Sequence, residues 1–129
     1  LANIAPQVVE KIIFTGFIDD EDLPVVYGNS NLFVFPSMYE GFGIPPLEAL
    51  TCGATVLSSD ASSLPEVLGQ CACYFKSDDL EDLRSKMIRL LDNRNREDRV
   101  EKEIIEDHLK LFEWKTEADK LLCYMKGLI

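Results

Sequence analysis

Two carboxylates, Glu40 and Glu48, bracket a glycine pair, Gly41 and Gly43. The stretch reads Pro36-Ser37-Met38-Tyr39-Glu40-Gly41-Phe42-Gly43-Ile44-Pro45-Pro46-Leu47-Glu48. A carboxylate accepts two hydrogen bonds and so matches a vicinal diol, as found on a sugar or a ribose. Glycines open backbone conformations closed to other residues and let a ligand approach main-chain N–H groups closely. A helix starting behind them adds unpaired N–H donors and a positive dipole end, both favourable to phosphate. Two diols joined by phosphates describe a nucleotide sugar. Each part also has a plainer reading. Glu48 near a helix start is favourable from the dipole alone, and a lone G-x-G after a strand is often only a tight turn.

The surrounding elements would place this loop at the mouth of a sheet. Lys11-Ile12-Ile13-Phe14 is a short apolar run that predicts a strand closed by Gly16. Asp19 to Asp22 followed by Leu23 and Pro24 predicts a helix start, broken at Gly28-Asn29-Ser30. Leu32-Phe33-Val34-Phe35 predicts a strand buried on both faces. A helix from Pro46 to Cys52 puts Glu48 in its first turn, with Gly53 just past the end. Ala54 to Leu57 predicts the next strand. Ser63-Leu64-Pro65-Glu66 has the capping-box pattern, with Ser63 as N-cap. Cys71 to Phe75 predicts a last strand. From Asp79 the period becomes helical: Leu80, Leu83, Met87, Leu90 and Leu91, then Val100, Ile104, Leu111 and Phe112, then Ala118, Leu121, Leu122 and Met125. Strands separated by helices imply an α/β fold, a Rossmann-like parallel sheet with helices on both faces. Ligands bind such sheets at the carboxyl ends of strands, which directs attention to residues 36–46 and 58–64.

The 129 residues fit one domain or part of one. The net charge of −10 opposes nucleic acid and anionic membrane surfaces, which need a positive field. The opening Leu1-Ala2-Asn3-Ile4-Ala5-Pro6 is no signal peptide, and the start at Leu1 leads to the expectation of a longer parent protein. Cys52, Cys71, Cys73 and Cys123 form no C-x-x-C, so they read as small buried hydrophobes in a reducing cytoplasm. His108 reads as surface or packing, because no nucleophile accompanies it. Trp114 could stack on a base but is expected rather to pin the final helix to the body, and Tyr39 lines the pocket or fills space. Asp19 to Asp22 lacks the glycine and distal Glu of a calcium loop. Arg94-Asn95-Arg96-Glu97-Asp98-Arg99 mixes signs and reads as a solvated turn and helix start.

The pair Glu40 and Glu48 resembles the paired-glutamate motif of retaining glycosyltransferases of GT-B architecture. The likeness extends through Asp22-Leu23 to Tyr27, Phe33-Val34-Phe35-Pro36-Ser37, Glu40-Gly41-Phe42-Gly43, Pro46-Leu47-Glu48-Ala49-Leu50, Cys52-Gly53 and Val56, and through Ser63 to Gly69. Phe112-Glu113-Trp114 resembles the aromatic pair before that family's final helix. The resemblance implies that residues 1–129 are part of the C-terminal, donor-binding domain. Glu40 would be the catalytic residue, contacting the donor sugar's hydroxyls. Gly41, Phe42 and Gly43 would bind sugar and phosphate oxygens through their N–H groups. Glu48 would bind the ribose hydroxyls, and Ser62 and Ser63 would lie beside the site. The donor would be a UDP-, GDP- or ADP-sugar, with no cofactor and no metal. The acceptor, a glycan, lipid-linked sugar or small metabolite, would be held by a second domain. The setting would be cytoplasmic, with peripheral membrane attachment open to the full-length protein.

The likeness begins late within that domain. Two strands would precede residues 11–14, and the basic residues that contact the diphosphate normally lie there. Lys11 is the only basic residue before Lys76. In the strand order 3-2-1-4-5-6 the segments 11–14 and 32–35 are not neighbours, so the sheet would contain a gap. The expectation is that this chain alone transfers no sugar, and that it rearranges its strand pairing or associates with copies of itself. Two rival readings stand beside it: a non-catalytic nucleotide-sugar-binding or assembly module, and a sugar-nucleotide epimerase of similar architecture.

Overall fold

A computed structural model describes residues 5–92 and 100–127. The Arg94 to Arg99 run therefore lies outside the described residues. The chain opens with a single turn of helix, α1 (Pro6–Val9), and continues with α2 (Leu23–Gly28), β1 (Phe33–Phe35), α3 (Ile44–Thr51), β2 (Val56–Ser59), α4 (Leu64–Leu68) and β3 (Cys73–Phe75). Three helices follow: α5 (Leu80–Leu91), α6 (Lys102–Leu109), then a 3-10 turn over Lys110–Phe112, and α7 (Trp114–Lys126).

The sheet is parallel, in the order β1-β2-β3. Phe33 pairs with Val56 and Phe35 with Ser58 on one side of β2; Leu57 pairs with Cys73 and Ser59 with Phe75 on the other. All four β2 residues are buried, as a strand covered on both faces requires. Its side chains alternate between two cores. Val56 joins Leu47, Ala49, Leu50, Leu64, Val67 and Leu68, drawn from α3 and α4, with Tyr27 of α2 and Leu109 of α6 packed on the edge. Leu57 joins Phe75 and Leu90, with Leu83 and Met87 of α5. The α/β sheet with helices on both faces is thus present.

Several expectations need correction. Residues 11–14 form no strand. Ile13 is 83% exposed and Phe14 73%, and β1 has β2 as its one partner among the described residues. An isolated apolar run cannot hold extended structure, because a strand satisfies its N–H and C=O groups only through a neighbour. Asp19 to Asp22 forms a turn ahead of α2 rather than its first turn, with Asp22 N–H donating to the Asp19 carbonyl at 2.9 Å. The strand placed at 54–57 is Val56–Ser59, and that at 71–75 is Cys73–Phe75. Ser63 makes no side-chain cap on α4, so the capping box does not form. Trp114 pins nothing: it is 90% exposed at the start of α7, a helix with no buried residue.

The start of α5 shows a working cap. Asp79 Oδ1 accepts from the N–H groups of Glu81 at 3.1 Å and Asp82 at 2.9 Å. No helix among the described residues is long and apolar enough to cross a membrane.

Candidate functional site

The carboxyl end of β1 runs into the glycine loop, and the carboxyl end of β2 supports it. Ser58 and Ser59 end β2, both with no exposed surface. Ser59 Oγ donates to the Ser37 carbonyl, and Ser58 Oγ donates to the Ser59 carbonyl at 3.1 Å. A hydroxyl buried without a partner would be costly, so these serines are committed to their bonds and hold the loop base in place.

The loop is held a second time further along. Ser62 Oγ donates to the Glu40 carbonyl at 2.8 Å, and Ser63 Oγ donates to the same oxygen at 3.2 Å. Ser63, pointed here, is unavailable to cap α4. Ser62 is a non-glycine residue in the left-handed region, at φ +55°, a conformation that costs of the order of 1 kcal/mol or more and persists only where surroundings impose it. Glu40, Ser62 and Ser63 are therefore brought together, with Phe42 close by: its carbonyl lies 3.5 Å from Ser63 Oγ.

Gly43 is buried and takes φ +94° immediately before α3. A Cβ there would fall 2.6 Å from Leu64 Cδ2, so both the backbone angle and the packing on α4 demand glycine. Because α3 starts at Ile44, Glu48 is its fifth residue and lies beyond the first turn, contrary to expectation. Pro45 and Pro46 carry no N–H, so the helix offers fewer end donors than its dipole suggests. The donors lie instead in the loop. Among the described residues, the N–H groups of Gly41, Phe42, Gly43 and Ile44 make no hydrogen bond. Consecutive free donors at the end of a parallel sheet are of the kind that hold an anion.

Glu48 is exposed on α3 and lines two open clefts. One, of about 380 Å³, is shared with Asp20, Leu23, Pro24, Tyr27, Thr51 and Cys52. The other, of about 610 Å³, lies between α3 and the α6 end and includes Ile44, Lys110 and Phe112. Neither is lined by Glu40. Glu48 accepts a long hydrogen bond, 3.4 Å, from Tyr27 Oη to its Oε2. Burial and then the Glu48 charge push the Tyr27 phenol above its usual value, so it remains a donor. Tyr27, Ser37, Ser58 and Ser59 were given no individual site role from sequence. The serines had a signal, two hydroxyls ending an apolar strand. Tyr27 had none, because only the packing of α2 on α3 brings it to Glu48. Tyr39 is 86% exposed and fills no core space.

The model of the family described as glycosyl transferases group 1 matches residues 6–107. A serotype-specific mannosyltransferase, WbdA, of Escherichia coli is 51% identical over 81 residues, 63% of this chain and 10% of that protein. The O-antigen chain mannosyltransferase B of Escherichia coli is 40% identical over 91 residues, 66% of this chain and 24% of its own length. The MMP alpha-(1->4)-mannosyltransferase of Mycolicibacterium hassiacum is 30% identical over 119 residues, 89% of this chain and 29% of its own. The chain thus spans between a tenth and a third of these relatives. Among solved structures, sucrose-phosphate synthase from Thermosynechococcus elongatus superimposes with a TM-score of 0.78 at 27% identity, covering 95% of this chain and 31% of that one. With the matched segment running from α1 to α6 and including the whole sheet and the glycine loop, the chain belongs to the group 1 glycosyl transferases.

Proposed function

We propose that this chain is the donor-binding part of a retaining glycosyltransferase that takes a nucleotide sugar. The observation that carries the reading is the run of four unpartnered N–H groups, Gly41 to Ile44, between Glu40 and Glu48. The diphosphate lies on those donors, which are preset by the loop and need no reorganisation as charge develops on the departing phosphate. Glu40, whose main chain is fixed by Ser62 and Ser63, binds the sugar hydroxyls. Glu48 binds the ribose diol. The names of the relatives support a mannosyl donor and a glycan acceptor in polysaccharide assembly. No metal is required for this electrostatic arrangement. Acceptor binding falls to a second domain, so this chain alone transfers no sugar.

Calorimetry with UDP, GDP and ADP tests the reading. One of the three binds weakly, and Glu48→Ala weakens that binding roughly ten- to a hundredfold, the worth of a hydrogen bond to a charged group. Unchanged affinity in the variant removes Glu48 from the site.

A further inference from the structure

The loop is gripped from the side of Phe42 by residues far along the chain. The Phe42 ring meets the Phe112 ring edge to face, with centroids 5.7 Å apart and planes at 83°. Phe112, in the 3-10 turn after α6, meets the His108 ring with centroids 5.4 Å apart and planes at 66°. His108 is itself fixed. Its Nε2 lies 2.8 Å from the Val67 carbonyl, and since a carbonyl can only accept, Nε2 carries the proton and donates. Its ring also covers Gly69, where a Cβ would fall 2.9 Å from Cε1. The imidazole thus seats in the space a side chain at residue 69 would take. Three rings in series connect the end of α4 to the residue between the two loop glycines.

We propose that Phe112, seated by His108, is a positioning residue that sets the orientation of the Gly41-to-Gly43 N–H groups through the Phe42 ring. The proposal rests on the donor-site reading above. Its physical basis is that Phe42 is 45% exposed and would otherwise be free to rotate. Burial alone does not fix it. An edge-to-face partner does, because the ring quadrupoles favour one relative orientation. A glycine on either side makes the backbone more mobile and raises the value of such an anchor. It also gives His108 and Phe112 a role in binding that acts through Phe42.

Two measurements on the 129-residue chain test this separately from donor binding. The first uses no ligand. In Phe112→Leu, the amide resonances of Gly41 and Gly43 shift or broaden, while Phe112→Tyr leaves them near wild type. The second is nucleoside diphosphate affinity at a temperature where melting curves show every variant folded. Phe112→Leu and Phe42→Leu each weaken binding roughly two- to tenfold, as loss of the Phe42–Phe112 pair that both share implies, and the double variant is no weaker than either alone. A purely structural Phe112 lowers the melting temperature and leaves glycine amides and affinity unchanged; that result, or additive losses in the double variant, overturns the proposal. If Phe112→Leu does not fold, Phe42→Leu carries the glycine-amide test from the exposed side of the pair. Absence of all nucleotide binding in the wild type sinks the donor reading instead, and the ligand-free amides still decide the role of Phe112.

Discussion

Tyr27 illustrates how a single hydroxyl can serve the proposed site through the carboxylate it holds. Its ring packs edge to face on Phe33, with centroids 5.3 Å apart, and its hydroxyl reaches Glu48. Tyr27→Phe keeps the ring and its packing and removes the one donor to that carboxylate among the described residues. The bond is long and exposed, so its loss is modest. We expect nucleotide affinity to fall about two- to fivefold, less than for Glu48→Ala, with the melting temperature nearly unchanged. Titration calorimetry beside thermal melting checks both; an affinity equal to wild type would mean that Glu48 needs no help from Tyr27. Ser62 works in a similar way, exchanging an unfavourable backbone angle for a bond to the Glu40 carbonyl. Neither role could be read from residue type, because both depend on partners 21 and 22 positions away.

At the scale of elements, the open edge of β1 sets the most direct expectation. Residues 11–14 have strand composition but no partner, and their side chains face solvent. Hydrogen exchange should show amides 11–14 exchanging close to the unstructured rate, while 56–58 in the central strand are protected by orders of magnitude. Strong protection of 11–14 in a monomeric sample would contradict the open edge. Protection that appears only as concentration rises would show copies pairing through it. An unpaired strand edge is a template for such pairing, and the exposed Ile13 and Phe14 add apolar surface. The acidic surface, with a net charge of −10, opposes it at low salt.

The molecule as a whole is held by two cores on either side of β2, and one polar tie between them and the loops is titratable. Tyr74 Oη donates to the Gly69 carbonyl at 2.7 Å. Burial, then the neighbouring Cys71 and Cys73, push its phenol up to about 12. In the unfolded chain a tyrosine titrates near 10. Between these values the unfolded chain has lost the proton and the folded one retains it, so stability falls as pH rises. Below about 10 the contribution is fully present. Melting temperature should therefore drop from pH 9.5 towards pH 11.5, beyond the general effect of negative charge. Tyr74→Phe should lower the melting temperature at neutral pH and flatten that slope; an unchanged slope would place the titration elsewhere.

Local composition alone determined a good part of this protein. The parallel α/β order was legible because buried strands read as short apolar runs and helices as 3.6-residue periods, and both patterns are set by nearest neighbours. The glycine loop and the acidic pair were legible because their types are unusual together. Sequence pattern failed wherever a segment's fate depended on a distant partner. Lys11 to Phe14 looked like a strand, but a strand exists only with another beside it. Ser63 looked like a cap, but the Glu40 carbonyl claimed its hydroxyl. Trp114 looked like an anchor, but it is 90% exposed. His108 read as surface or packing and Phe112 as part of an aromatic pair before the last helix, and packing set Phe112 against the loop with His108 behind it. Hydrogen-bond competition and ring contact act through space, at separations of tens of residues, and only the folded chain decides which groups meet.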